Sequence, residues 1–235
     1  MESLRGLDAM VFDFDGLILD TEWPKFTAVS EAFADHGVEL PMDDWCEAVG
    51  RIEARHWTEW LEAVIGRPVA RDAVRARALT RSLGLVADEA TRPGVTELLE
   101  AAAGRGIGLA VASSSPSDWV VPHLDRLGLL ARFDVVVTRD DVAAIKPAPD
   151  LYLAAMAALD ASASRSVAFE DSTHGCTSAV RAGLWCVVAR NRLTATQDFS
   201  HADLVVSSLA EVDVAILMAL MRGDRDNSSV TPVEP

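Results

Sequence analysis

Asp13-Phe14-Asp15-Gly16 places two carboxylates directly after an apolar run, Ala9–Phe12. That run reads as a short buried strand. Side chains alternate along a strand, so Asp13 and Asp15 share one side. Two close carboxylates repel unless a cation or a proton lies between them. Gly16 lets the backbone turn sharply straight afterwards. The arrangement suits a Mg²⁺ site with one carboxylate free to act as a nucleophile.

Three further pieces fall at the ends of predicted strands, the edge where open α/β sheets bind ligands. Ser113-Ser114-Ser115 follows Ile107–Ala112, and a serine hydroxyl with the amides of such a turn can hold phosphate oxygens. Lys146 lies in Ile145-Lys146-Pro147-Ala148-Pro149-Asp150, where two prolines stiffen the loop and aim one ammonium. Glu170-Asp171-Ser172 closes the Val167–Phe169 strand, with Gly175 just beyond. These acids complete an oxygen-rich shell of the kind Mg²⁺ prefers. Any one acid after a strand is as often a helix cap or a solvated loop residue. It is the combination with Lys146 that points to chemistry. The serine run also reads as a turn and N-cap, with Pro116 at the first helical position.

The elements that must position these groups alternate. Strand-like Ala9–Phe12, Ile107–Ala112, Asp134–Val137, Val167–Phe169, Cys186–Val188 and Leu204–Val206 are separated by helix-like segments. The latter are Glu97–Ala103, Trp119–Leu127, Leu151–Leu159 and Thr177–Ala182, with Gly128 and Gly183 at expected C-caps. The fold class is therefore α/β, with a doubly wound, mostly parallel, Rossmann-like sheet. Between about Glu22 and Asp88 the strand signal nearly vanishes. Amphipathic stretches Phe26–Ala34, Ala54–Ile65 and Arg71–Leu83 replace it, broken at Gly37, Pro41, Gly66-Arg67-Pro68 and Gly84. This predicts a core of residues 1–20 and 91–222, an inserted α-helical domain over 21–90, and a disordered polar tail over 223–235.

Composition narrows the partners. Half of the 235 residues are hydrophobic, enough for a full core, and the formal net charge is −15. Tight binding to nucleic acid or to an anionic membrane is disfavoured, because both reward a basic face. The three cysteines, Cys46, Cys176 and Cys186, show no metal-binding spacing and read as packing residues. Their scatter, with no secretory signal and no membrane span, points to a cytoplasmic protein. Monomer and dimer are equally compatible with the sequence.

Taken together, Asp13-Phe14-Asp15-Gly16-Leu17-Ile18-Leu19-Asp20-Thr21, Ser113, Lys146 and Glu170-Asp171-Ser172 resemble the haloacid dehalogenase superfamily. They occur in the family's order and span most of the chain. The helical insert resembles the family's first type of cap domain. The branch most resembled holds the β-phosphoglucomutase-like and phosphoglycolate-phosphatase-like enzymes. The resemblance implies that Asp13 is a phosphoryl-accepting nucleophile and Asp15 a general acid and base. It implies Mg²⁺ held by Asp13, the Asp15 backbone carbonyl and Asp171, with Glu170 a further ligand or a supporting partner. Ser113 and Lys146 would hold phosphoryl oxygens, with the amides of Phe14, Asp15 and Ser114 as candidate donors.

The function so implied is a Mg²⁺-dependent phosphatase for a small phosphorylated metabolite, with a sugar phosphate as one candidate. A β-phosphoglucomutase-type phosphomutase is the alternative, weakened because Lys25 stands where those enzymes carry a histidine. A non-catalytic phosphate-binding module is a second alternative, and no motif is degraded in its favour. Dehalogenation sits poorly with Asp15, and phosphonate hydrolysis through a Lys25 imine sits poorly with the second aspartate. Within the insert, Lys25 and Arg51 are candidate specificity residues, with Arg55 and His56 as weaker ones. Arg71, Arg75, Arg77 and Arg81 read as a solvated face. Of Trp45, Trp57 and Trp60, at least two read as packing. Asp20-Thr21 reads as a helix cap, and His174 is given no role.

Overall fold

A computed structural model describes residues 6–48 and 56–222. Six strands form one parallel sheet: β1 Ala9–Phe12, β2 Gly108–Ala112, β3 Val135–Val137, β4 Ser166–Glu170, β5 Trp185–Ala189 and β6 Leu204–Val206. Their spatial order is β3-β2-β1-β4-β5-β6. The chain winds outward from β1 to β3 on one side, then starts again at β4 on the other. β1 and β4 therefore flank the switch point where doubly wound sheets open a crevice.

Both faces of the sheet are covered, which is why β1, β2 and β5 read as near-continuous apolar runs. Met10 and Phe12 point to one face and pack with Val111, Phe169 and Val187. That layer is closed by α5 Val95–Ala102, α6 Ser117–Arg126 and α9 Val214–Arg222. Ala9 and Val11 point to the other face, against Tyr152 and Ala155 of α7 Asp150–Leu159 and Cys176 and Ala179 of α8 Thr173–Arg181. Phe12 stacks on Phe169 with ring centroids 4.6 Å apart. Burying an aromatic side chain of this kind stabilises the fold by roughly 1.5–3 kcal/mol.

The insert contains α1 Glu22–Ala34, α2 Met42–Ala48, α3 Trp57–Ile65 and α4 Arg71–Asp88. Its apolar cluster gathers Phe26, Val29, Phe33, Trp45, Leu61 and Val74, with Leu193 joining from the loop after β5. Asp20 starts α1, its Oδ1 accepting the Trp23 N–H at 3.0 Å, while Thr21 makes no side-chain cap bond. The insert leaves and rejoins the sheet side by side. Leu19 and Thr91 form an antiparallel bridge, and the Arg92 amide donates to the Ile18 carbonyl at 2.9 Å.

Several expected boundaries shift. Gly84 does not break α4, which runs on to Asp88, because the helix packs along α1 and tertiary contact outweighs one glycine's propensity. Pro116 precedes α6 as its N-cap residue and is not its first helical residue. α2 and α9 are additional to the helices expected from periodicity. Of the segment expected to be helical from Ala54, residues 54 and 55 lie outside the described residues, and α3 begins at Trp57. Gly128 and Gly183 follow α6 and α8 with φ of 69° and 87°, as expected of C-caps.

Candidate active site

In the register of β1 against β4, Phe12 faces Phe169. The next residue on each strand is thus an acid at the open edge of the switch point. The Asp13 amide donates to the Phe169 carbonyl at 3.0 Å, fixing the turn-off of β1. Carboxylate oxygens of Asp13, Glu170 and Asp171 lie within 4.8 Å of one another, and all three residues are buried. Gly16 approaches this group so closely that a Cβ there would lie 2.0 Å from Asp171 Oδ2, and its φ is +83°. Both constraints select glycine.

Lys146 enters the group from the proline-flanked loop. Its Nζ lies 2.5 Å from Asp13 Oδ1 and 2.6 Å from Glu170 Oε1. Tyr152, at the start of α7, donates its hydroxyl to the same Glu170 oxygen at 2.5 Å. Glu170 Oε2 accepts the Asp171 N–H at 3.3 Å and the Ser172 hydroxyl at 3.4 Å. Gly175 makes room, since a Cβ there would lie 1.9 Å from Glu170 Oε2. Glu170, fully buried, is thereby an anchor for Lys146 with both its oxygens engaged.

Three carboxylates face one ammonium, and the titration of Asp13, Asp171 and Lys146 reflects it. Burial pushes the Asp13 carboxyl up to about 8; Lys146 opposes this, while Glu170 and Asp15 add to it. Burial, then Asp13 and Glu170, raises Asp171 well above the usual carboxylate range. For Lys146 burial works towards a lower value, but Asp13 and Glu170 outweigh it and the ammonium is held charged. A compact set of hard oxygen donors with excess negative charge fits a divalent cation such as Mg²⁺. Asp13, Asp171 and Glu170 are the members that could hold one, and Glu170 also anchors Lys146 through Oε1.

Asp15 lies beside this group with its carboxylate directed elsewhere. Its Oδ2 accepts the Ser115 hydroxyl at 2.6 Å and the Ser113 hydroxyl at 3.5 Å. Its Oδ1 accepts the Trp119 indole N–H at 2.9 Å. The Asp15 carboxylate is therefore not among the clustered acids, which leaves its backbone carbonyl as its one route to a cation. Ser113 is buried and its Oγ also accepts the Ser115 amide at 3.0 Å, so it shapes the turn after β2. Ser114 has a buried hydroxyl with no hydrogen-bond partner, beside the same acids.

A cavity of about 940 Å³ opens above these residues, between the sheet edge and the insert. Asp13, Asp15, Ser114, Lys146 and Asp171 line its lower side. Lys25, His56, Trp57 and Arg75 line the opposite side. Arg75 is exposed like Arg71, Arg77 and Arg81, in keeping with a solvated face, and pairs with Asp72 at 3.8 Å; it also borders the cavity, its Nε 3.1 Å from His56 Nε2. The other three pair outward, Arg71 with Glu59 and Glu62, Arg77 with Asp35, and Arg81 with Glu31. Trp45 is buried in the insert's cluster and Trp60 packs against it, whereas Trp57 reaches the cavity. Arg51 and Arg55 lie outside the described residues.

Four supporting contacts are not readable from the motifs, that of Ser115 with Asp15 among them although the serine run itself is. Trp119, Ser115 and Tyr152 sit on helices or turns whose side-chain directions depend on packing. Asn191, whose Nδ2 donates to Asp171 Oδ2 at 2.8 Å, comes from the loop after β5. The one available signal is position, since each follows or precedes a strand's open edge.

Residues 10–189 match the haloacid dehalogenase-like hydrolase family, and the chain belongs to it. The chain is 39% identical over 212 residues to a Bacillus subtilis protein named "Putative phosphatase YhcW", covering 90% of this chain and 96% of the relative. It is 32% identical to the validoxylamine A 7'-phosphate phosphatase of Streptomyces hygroscopicus subsp. limoneus, covering 86% of this chain and 94% of that protein. Among solved structures, a CbbY variant from Rhodobacter sphaeroides, in complex with xylulose-(1,5)bisphosphate, superposes with a TM-score of 0.65 and 29% identity. That match covers 87% of this chain and 96% of the other.

Proposed function

We propose that this hydrolase is a Mg²⁺-dependent phosphatase of small phosphorylated metabolites, working through an aspartyl-phosphate on Asp13. The observation that carries the reading is the buried group of Asp13, Lys146, Glu170 and Asp171 at the floor of an open cavity. When bound between Asp13 and Asp171, the metal supplies positive charge that lets an anionic carboxylate approach an anionic phosphate. Lys146 orients Asp13 and offers its remaining donor capacity to phosphoryl oxygens. The unpartnered Ser114 hydroxyl and the amides of the Ser113–Ser115 turn are further donors to those oxygens.

An Asp13 oxygen attacks phosphorus as the ester oxygen leaves with a proton from Asp15. A water then attacks the phosphorus of the acyl phosphate, giving its proton to Asp15, and inorganic phosphate and free Asp13 are regenerated. Ser115 and Trp119 hold Asp15 on the cavity wall in the meantime. The insert acts as a cap that covers the cavity, and its cations Lys25 and Arg75 favour a substrate with further anionic or hydroxyl groups. A sugar phosphate satisfies that description.

Asp13→Asn tests this directly. Release of phosphate from a panel of sugar, polyol and glycolate phosphates with Mg²⁺ should fall at least about 10³-fold, because the amide cannot serve as the nucleophile. Turnover at the native rate would remove Asp13 from that role. A phosphomutase would instead convert a hexose 1-phosphate to the 6-phosphate without net phosphate release.

A further inference from the structure

We propose that Asn191 is a positioning residue for Asp171, and that the turn carrying it couples the metal-binding carboxylate to the helical insert. The inference rests on the metal reading above and extends it to a residue outside the family's motifs. Among the described residues, Asn191 is the side chain that hydrogen-bonds the Asp171 carboxylate, through Oδ2 at 2.8 Å. Its own amide cannot swing freely. Asn191 Oδ1 accepts the Leu193 and Thr194 amides at 2.9 and 3.0 Å, and the Asn191 amide donates to Thr194 Oγ1 at 3.1 Å. Those backbone donors settle which end of the side chain is oxygen, so Nδ2 must point at Asp171. One carboxylate oxygen is thereby held by a fixed donor, and the other is left for a cation.

The two residues that follow belong to the insert's packing. The Arg192 guanidinium lies 4.0 Å from the centre of the Trp23 ring. Leu193 is 1% exposed and sits in the insert's cluster with Phe26, Phe33 and Trp45. Four residues on, Gln197 donates to the Cys46 carbonyl at 3.3 Å, and its Oε1 accepts from Thr173 at the start of α8. A single stiff turn therefore carries a donor for the acid group and anchors for the insert. Displacing the insert must pull on the residue that orients Asp171. By reciprocity, whatever seats the insert tightens the cation, and the cation helps to seat the insert.

The test is calorimetric titration of the full chain with Mg²⁺ alone, without substrate, alongside thermal melting in chelator. Asn191→Ala should weaken Mg²⁺ binding about 10- to 100-fold, the usual loss when a group orienting a metal ligand is removed. Arg192→Ala is the sharper arm. Deleting a nearby cation should by electrostatics alone strengthen Mg²⁺ binding. Coupling through the turn predicts a several-fold weakening instead. Unchanged affinity in Asn191→Ala overturns the positioning role, including the case in which only its melting temperature falls. Unchanged or tighter binding in Arg192→Ala overturns the coupling. A native chain that binds no Mg²⁺ overturns both, together with the metal reading. If native protein and variants differ in affinity as stated but no phosphoester is hydrolysed, the phosphatase reading fails and Asn191's role stands.

Discussion

Replacing Lys146 by methionine removes the one cation that the described residues place between Asp13 and Glu170. Methionine keeps most of the stem's volume, so the loss is one of charge and hydrogen bonds, with little cavity formation. The ammonium is 6% exposed and lies 2.5 and 2.6 Å from its two partners. Removing one member of a buried ion pair costs roughly 3–5 kcal/mol, because the remaining charges stay buried without compensation. In a chain of this size each kcal/mol moves the melting temperature by about 2–4 °C, which predicts a fall of roughly 6–20 °C in chelator. The effect must depend on pH with a definite sign. Asp13 has a folded value of about 8, above its ordinary 3.8. Its contribution to stability is thus full below the ordinary value and lost as pH rises through the folded one. Without Lys146 the proton is held more tightly still, and at about pH 5 Asp13 is neutral and the ammonium is missed less. Circular-dichroism melts of the native chain and Lys146→Met, in chelator at about pH 5 and about pH 8, read this out. A variant melting within about two degrees of the native chain at the higher pH, or a deficit no smaller at the lower pH, would refute the argument.

The same electrostatics predict how Mg²⁺ itself acts. Burial, with Glu170 and Asp15, raises Asp13, and burial, with Asp13 and Glu170, raises Asp171, so a divalent cation must compete with protons for both. Saturating Mg²⁺ should therefore raise the melting temperature more at about pH 8 than at about pH 5, as read by parallel melts with and without chelator. In the insert, Gly84 lies inside α4 with nothing within 4 Å of a Cβ built there. Gly84→Ala should stabilise the chain by roughly 0.5–1 kcal/mol, a rise of about 1–4 °C in the same melting assay.

The sheet was legible because parallel strands covered on both faces leave apolar runs that no other element mimics. Ala9–Phe12 and Leu204–Val206 agree with the structure to the residue, and the other strands to within one residue at either end. The acids at the open edge were legible for the same reason, since register places whatever follows β1 next to whatever closes β4. What surrounds those acids was not. Whether Trp119 reaches Asp15, or Asn191 reaches Asp171, depends on rotamers and loop paths that tertiary packing selects. Arg75 illustrates the limit. Its charge and helical spacing are those of Arg71 and Arg81, and only the angle at which α4 lies across the cavity separates it from them. Gly84 shows the opposite error, a strong local breaker overridden by an 18-residue helix packed along α1.

The paired crossings at Leu19 and Thr91 have an architectural consequence. Facing residues in an antiparallel bridge are about 5 Å apart, a gap that a two-residue turn can close. The polypeptide could therefore be spliced directly from one to the other, or threaded through a different set of helices, with no strand of the sheet re-registered. Such a junction explains how one catalytic floor can be refitted with new ceilings, each choosing its own molecule, while the acids beneath keep their places.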